Sequence, residues 1–237
     1  MPADSIHSLL QIHSKDFAPV VPFNPGTDSF LSMDFTATNE ELTVEILENT
    51  TLFTEYVDRK LKNAGARYGI GGYGELRDLY LRSRVFDAPN PGEEPRRFHL
   101  GTDIWGPPHT HVMAPLDGIV HSFAFNNNYG DYGPTMVLSH QLEGHTFYSL
   151  YGHLSLNDLK NLSEGQRIGK GDVFGEFGIP AENGQWPPHL HFQLILNMQG
   201  YQGDYPGVCA FSQREKYLIN CPDPDLVLRM NRYAFGS

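Results

Sequence analysis

The spacing of apolar residues changes once along the chain. Before about residue 95 they are scattered or helical in period, and beyond it they fall into short alternating runs. Between Asn49 and Gly65 the apolar residues Leu52, Phe53, Tyr56, Val57 and Leu61 recur at steps of three and four, Asn49 or Thr50 can cap, and Gly65 can terminate. This spacing predicts the clearest helix of the sequence. Residues 1–37, with Pro19, Pro22, Pro25 and Gly26, read as an irregular arm that wraps the body and carries at most one short helix from Ser5 to His13. Residues 68–75 are glycine-rich but lack the strand-then-helix setting of a phosphate loop, so a tight surface turn is expected there.

A hinge-like stretch, Asp87 to Pro95, precedes the change. Runs at 118–125, 135–138, 146–151, 173–177 and 189–196, separated at regular intervals by turn residues, predict antiparallel strands of a barrel or sandwich. One helical turn is expected at 157–162, and sharp turns at Gly165, Gly169 and Gly171. Residues 206–224 read as an irregular strap, followed by a short strand or helix from Leu226. The expected organisation is therefore an N-terminal arm and helix (1–95), a core of short strands (96–200) and a C-terminal strap (201–237).

Composition narrows the function. With 17 Lys and Arg against 28 Asp and Glu the net charge is −11, and no basic run exceeds Arg96-Arg97, which argues against nucleic acid as a partner. No apolar stretch approaches the roughly 18–20 residues of a membrane helix. The N-terminal residues show neither a basic region nor an apolar core of a secretory signal, so a cytoplasmic location is expected. Cys209 and Cys221 are spaced like neither a redox pair nor a zinc knuckle, and ordinary buried thiols are expected.

The candidate chemistry lies in three segments. In His189-Leu-His-Phe-Gln-Leu-Ile-Leu196, period-two alternation puts Leu190, Phe192 and Leu194 on one face and His189, His191 and Gln193 on the other. Two imidazoles then project side by side from a held strand, as a zinc site or an acid/base pair requires. His99 and Asp103 lie four apart around Gly101, where a strand enters a turn and both can reach one ion. Two histidines and one carboxylate leave one tetrahedral position open, the donor set of a hydrolytic zinc. His109-Thr-His111 repeats the proline-flanked pair with a weaker apolar face and is expected to be a loop. In Tyr151-Gly-His153, Gly152 permits a close backbone approach that would push His153 toward a cleft.

These segments, with Val112-Met-Ala-Pro-Leu-Asp-Gly-Ile-Val120 and Gly165-Gln-Arg-Ile-Gly-Lys-Gly171, resemble in order the M23 family of zinc metallopeptidases, the lysostaphin and LytM type of peptidoglycan endopeptidase. The resemblance runs from about His99 to Leu196 and implies a mainly β fold, an antiparallel open barrel or sandwich. It implies zinc held by His99, Asp103 and His191, with His153 and His189 as the catalytic histidines that do not bind metal. It also implies a tyrosine near the developing oxyanion, for which Tyr129 and Tyr132 are the candidates, and a structural role for His140. The implied substrate is a peptide or a peptidoglycan fragment.

The sequence departs from the family in three ways. No export signal is visible, Gln193 stands where many relatives have Glu, and 181–188 is an insertion beside the site. With Tyr132-Gly-Pro-Thr135 and Cys221-Pro-Asp-Pro224, this insertion resembles the variant M23 domain found beside kinase-like and aminotransferase-like domains in some bacterial proteins, which implies a small intracellular peptide or amide substrate. Two other readings compete with the hydrolase. One is a metal-binding, regulatory domain of the same fold without turnover. The other is a lipoyl or biotinyl carrier barrel, which the lack of any lysine between Lys62 and Lys160 disfavours.

Overall fold

A computed structural model describes residues 3–88 and 90–235. Pro89, within the expected hinge, and the first two residues of the N-terminus lie outside the described residues. In chain order the elements are α1 (Ala3–Ile12), β1 (Phe30–Ser32), α2 (Val44–Glu48), α3 (Thr50–Ala64), β2 (Tyr68–Gly71), β3 (Arg96–His99), β4 (Thr102–Trp105), β5 (His111–Met113), β6 (Gly118–Asn126), β7 (Gly133–Leu142), β8 (His145–Gly152), β9 (Arg167–Ile168), β10 (Val173–Glu176), β11 (His189–Ile195), β12 (Val208–Ala210), α4 (Arg214–Asn220), α5 (Asp225–Leu228) and β13 (Ala234–Phe235). The protein is mainly β, and its largest sheet runs β13-β1-β2-β4-β11-β8-β7-β6-β9. Among the described residues, only the pairings of β1 with β13 and with β2 are parallel in it.

The predicted helix forms as α3. Asn49 Oδ1 accepts from the backbone N–H of Thr51 and Leu52 at 3.0 and 3.2 Å, and Gly65 ends the helix in the left-handed conformation at φ 64°. Its apolar stripe is buried, and Phe53 packs against Phe35, Trp105 and Trp186 with ring centroids 5.9, 6.0 and 6.4 Å apart. Burying such aromatic area is what holds the N-terminal region on the sheet. The helical turn expected at 157–162 is a 3-10 turn at Leu156–Leu159, and the element after the strap is the helix α5.

The glycine-rich segment 68–75 differs from its expected surface turn. Its first half is β2, a buried strand between β1 and β4. Gly69 and Gly71 are there because the chain at Met33 crosses them closely: a Cβ on Gly69 would meet Met33 Cγ at 2.7 Å, and one on Gly71 would meet the Met33 carbonyl oxygen at 2.6 Å. The strand therefore trades side-chain packing for a close crossing of backbone. Through β2, the region before residue 95 is built into the same sheet as the strands that carry the histidines.

Candidate metal centre and cleft

Strand β11 sits between β4 and β8, and its register opposes His191 to Asp103 on one side and to Gly152 on the other. Leu190, Phe192 and Leu194 enter the main core as the alternation requires. The opposite face is buried too, covered by the N-terminal region and the C-terminal strap. His99, from the end of β3, joins His191 and Asp103, and their three potential ligand atoms lie within 4.8 Å of one another. Gly101 is needed in the bend between β3 and β4, since a Cβ there would meet the His191 ring at 2.5 Å.

Hydrogen bonds fix which nitrogens are free. His99 Nδ1 donates to the Gly72 carbonyl at 3.1 Å, leaving Nε2 with its lone pair. Gln193 Nε2 donates to the Pro206 carbonyl at 3.2 Å, so Gln193 Oε1 is the acceptor for His191 Nε2–H at 3.0 Å, and His191 Nδ1 is the free nitrogen. The two lone pairs face each other at 3.0 Å, with Asp103 Oδ1 at 3.4 Å from His99 Nε2 and 3.1 Å from His191 Nδ1. Three acceptors aimed at one point repel unless a cation lies among them, so the donor set fits a zinc-type ion.

Electrostatics agree. Burial pushes His99 down to about 4, aided by the Arg77 charge, which keeps it neutral and available as a ligand. Burial penalises the Asp103 carboxylate, but the Arg77 guanidinium bonded to it outweighs that and holds Asp103 well below the usual carboxylate range.

Two further histidines line the same cleft, a cavity of about 300 Å³. His153 Nδ1 donates to the Asn183 carbonyl at 2.8 Å and His189 Nδ1 to the Pro187 carbonyl at 2.7 Å, which leaves both Nε2 atoms bare. Their ring centroids are 4.1 Å apart, and His189 stacks on Trp105 at 3.9 Å. Burial pushes His189 down to about 4, and burial with the neighbouring His189 pushes His153 well down, so both imidazoles are neutral at pH 7. His153 holds a left-handed backbone, φ 64°, and the preceding Gly152 lies against the Tyr132 ring.

The structure separates the two tyrosines. Tyr132 OH is 3.4 Å from His191 Nε2 and donates to the Tyr205 carbonyl at 3.2 Å, whereas Tyr129 OH receives the Arg82 guanidinium at 2.8 Å and does not line the cleft. His109 bonds Glu176 in a turn and His111 is exposed at the start of β5, both away from the cleft. His140 is buried between the Asp117 carbonyl and Ser149 Oγ. Cys209 and Cys221 are buried and unpaired.

Several cleft residues carry no signal in the sequence. Arg77 binds Asp103, and from the insertion at 181–188 Trp186 walls the cleft while the Asn183 carbonyl anchors His153. Arg82 ties these walls together through Thr50 Oγ1, Tyr129 OH and the Gln185 carbonyl, with its guanidinium 4.6 Å from the Trp186 ring.

A buried His-Asp-His cluster that could hold a metal ion thus lies beside two neutral histidines in one cleft of a β scaffold. The model of Peptidase family M23 matches residues 97–202, and the protein carries an M23 family peptidase domain there. Comparison with curated proteins finds no match. Among solved structures the chain is similar to the catalytic domain of the antimicrobial peptidase lysostaphin from Staphylococcus simulans, at 20% identity and a TM-score of 0.39 over 69% of this chain and 96% of that one. It is similar to a zinc containing peptidase from Vibrio cholerae, at 24% identity and 0.35 over 46% of this chain and 30% of that one. It is also similar to Helicobacter pylori Csd3, at 26% identity and 0.33 over 52% of this chain and 32% of that one. The chain thus spans about a third of the length of the last two proteins.

Proposed function

We propose that this protein is a zinc-dependent peptidase that hydrolyses peptide or amide bonds in peptidoglycan-derived or small intracellular peptides, with His99, Asp103 and His191 as metal ligands. The observation that carries this reading is the convergence of three unprotonated donors, His99 Nε2, His191 Nδ1 and Asp103 Oδ1, in a buried site. A zinc ion held there supplies Lewis-acid polarisation of a carbonyl and a more acidic water.

The residues of the chain supply the rest. The bare Nε2 atoms of His153 and His189 can accept a proton from the attacking water or pass one to the leaving amine. Their Nδ1–H bonds to backbone carbonyls fix the rings in the tautomer this needs. Tyr132 offers a hydroxyl beside His191 for the developing oxyanion. Walls of Tyr80, Trp105, Trp186 and Tyr205 exclude water and suit a short peptide rather than a broad polymer.

Elemental analysis joined to a screen of peptidoglycan fragments and D-amino-acid-containing peptides tests the proposal. One zinc per chain with turnover of such a peptide is expected. Zinc without turnover of any peptide moves the protein to a binding role, and no zinc removes the reading altogether.

A further inference from the structure

Arg77 lies outside the segment that matches the family, yet it is bonded directly to the candidate metal ligand. Its Nη1 donates to Asp103 Oδ2 at 2.5 Å while its Nε donates to Glu75 Oε2 at 2.5 Å, and its guanidinium lies 5.3 Å from the Phe35 ring. The side chain is wholly buried, so the cation has no aqueous alternative to these partners. Asp103 is thereby divided: Oδ2 belongs to Arg77, and only Oδ1 faces the two histidine nitrogens.

A carboxylate can offer a metal one oxygen or two. Two would occupy the position that a hydrolytic site keeps open for water or substrate. We propose that Arg77 is a positioning residue that holds Asp103 to a single ligating oxygen and so keeps one coordination position free. This rests on the metal reading above. An ammonium can occupy Oδ2 just as a guanidinium does, although only the planar fork of arginine ties Asp103 and Glu75 at once.

Cobalt(II) substitution reports coordination number independently of activity. The test compares wild type, Arg77→Lys and the double variant Arg77→Met/Glu75→Gln, which avoids stranding the Glu75 charge. Cobalt affinity, the visible spectrum, kcat, KM and melting temperature are measured for each. The double variant is expected to bind one cobalt per chain with weakened visible absorption, the mark of added ligands, and to lose about 10–100-fold in kcat with KM little changed. Arg77→Lys is expected to recover the wild-type spectrum and most of the rate. If the double variant does not fold, Arg77→Gln/Glu75→Gln, whose side chain at 77 is too short to hold Oδ2, is read in the same way. A neutral variant that keeps the wild-type cobalt spectrum and kcat and loses only melting temperature overturns the proposal, as does a lysine variant no better than the neutral one. Failure of wild type to bind a divalent metal would instead overturn the functional reading on which it rests.

Discussion

His153 joins a candidate proton-transfer group to an unfavourable backbone conformation, and a pair of substitutions separates the two. Its φ of 64° costs a non-glycine residue about 1–2 kcal/mol. Alanine at 153 retains that cost, whereas glycine escapes it but gives back about 0.4–1 kcal/mol through the freedom of its unfolded chain. The net is about 1 kcal/mol in favour of His153→Gly over His153→Ala. Both variants lose the same bond to the Asn183 carbonyl and the same ring packing, so those losses cancel. For a chain of this size 1 kcal/mol corresponds to roughly 2–4 °C, so the glycine variant should melt that much higher than the alanine variant. Both should lose turnover alike, by roughly 10²–10⁴ in single-turnover rate on a cleavable peptide, with zinc still bound. Calorimetry and rapid-quench kinetics on the two proteins check this. An alanine variant as stable as the glycine variant refutes the backbone argument, and an unaltered rate in either refutes the catalytic role of the imidazole.

Four other outcomes are expected. His191→Ala should lose close to one zinc per chain by elemental analysis and His111→Ala none, and chelation of wild type should lower the melting temperature, since zinc at a hundredfold excess over Kd stabilises by about 2.7 kcal/mol. His153→Ala/His189→Ala should turn over little more slowly than the worse single variant, because groups acting as one unit are not additive. His13 is raised by its bonds to Glu143 and then Asp16, so the stability it gives is present below its unfolded value of 6.5 and lost as pH rises through the higher folded value. His13→Gln should therefore lower the melting temperature at about pH 5 and leave it nearly unchanged at about pH 8.5, as followed by scanning calorimetry. Fractionation of the native host is expected to find the protein in the cytoplasm.

How much of this was legible in the sequence depends on the distance over which each feature is encoded. Strand β11 was, because its alternation is local: Leu190, Phe192 and Leu194 reach the core and the polar members face away. The same holds for α3, whose cap, apolar stripe and terminating glycine lie within seventeen residues, Asn49 to Gly65. The approach of His99 to Asp103 was legible as two groups flanking a bend. The strand β2 was not. Its glycines answer to Met33, which reaches them only through tertiary crossing, and in isolation they resemble a turn. Arg77 was not legible either, since its partner Asp103 lies 26 residues further along and nothing in the residues around it signals burial. The insertion at 181–188 was visible as an insertion, but that Asn183 would anchor His153 depends on a contact across 30 residues.

The parallel pairing of β1 with both β2 and β13 bears on how this protein can be re-engineered. Residues 30–32 zip the far C-terminal segment to the strand that flanks β4, so the flanks of the 97–202 segment are interlocked rather than appended. Moving that segment alone into a fusion would uncover the β4 edge now closed by Gly69 to Gly71 and strip Asp103 of its guanidinium. An affinity handle or fluorescent partner at the C-terminus would sit directly beside the closing pair Leu31 and Phe235. Chimeras should therefore exchange the protein whole.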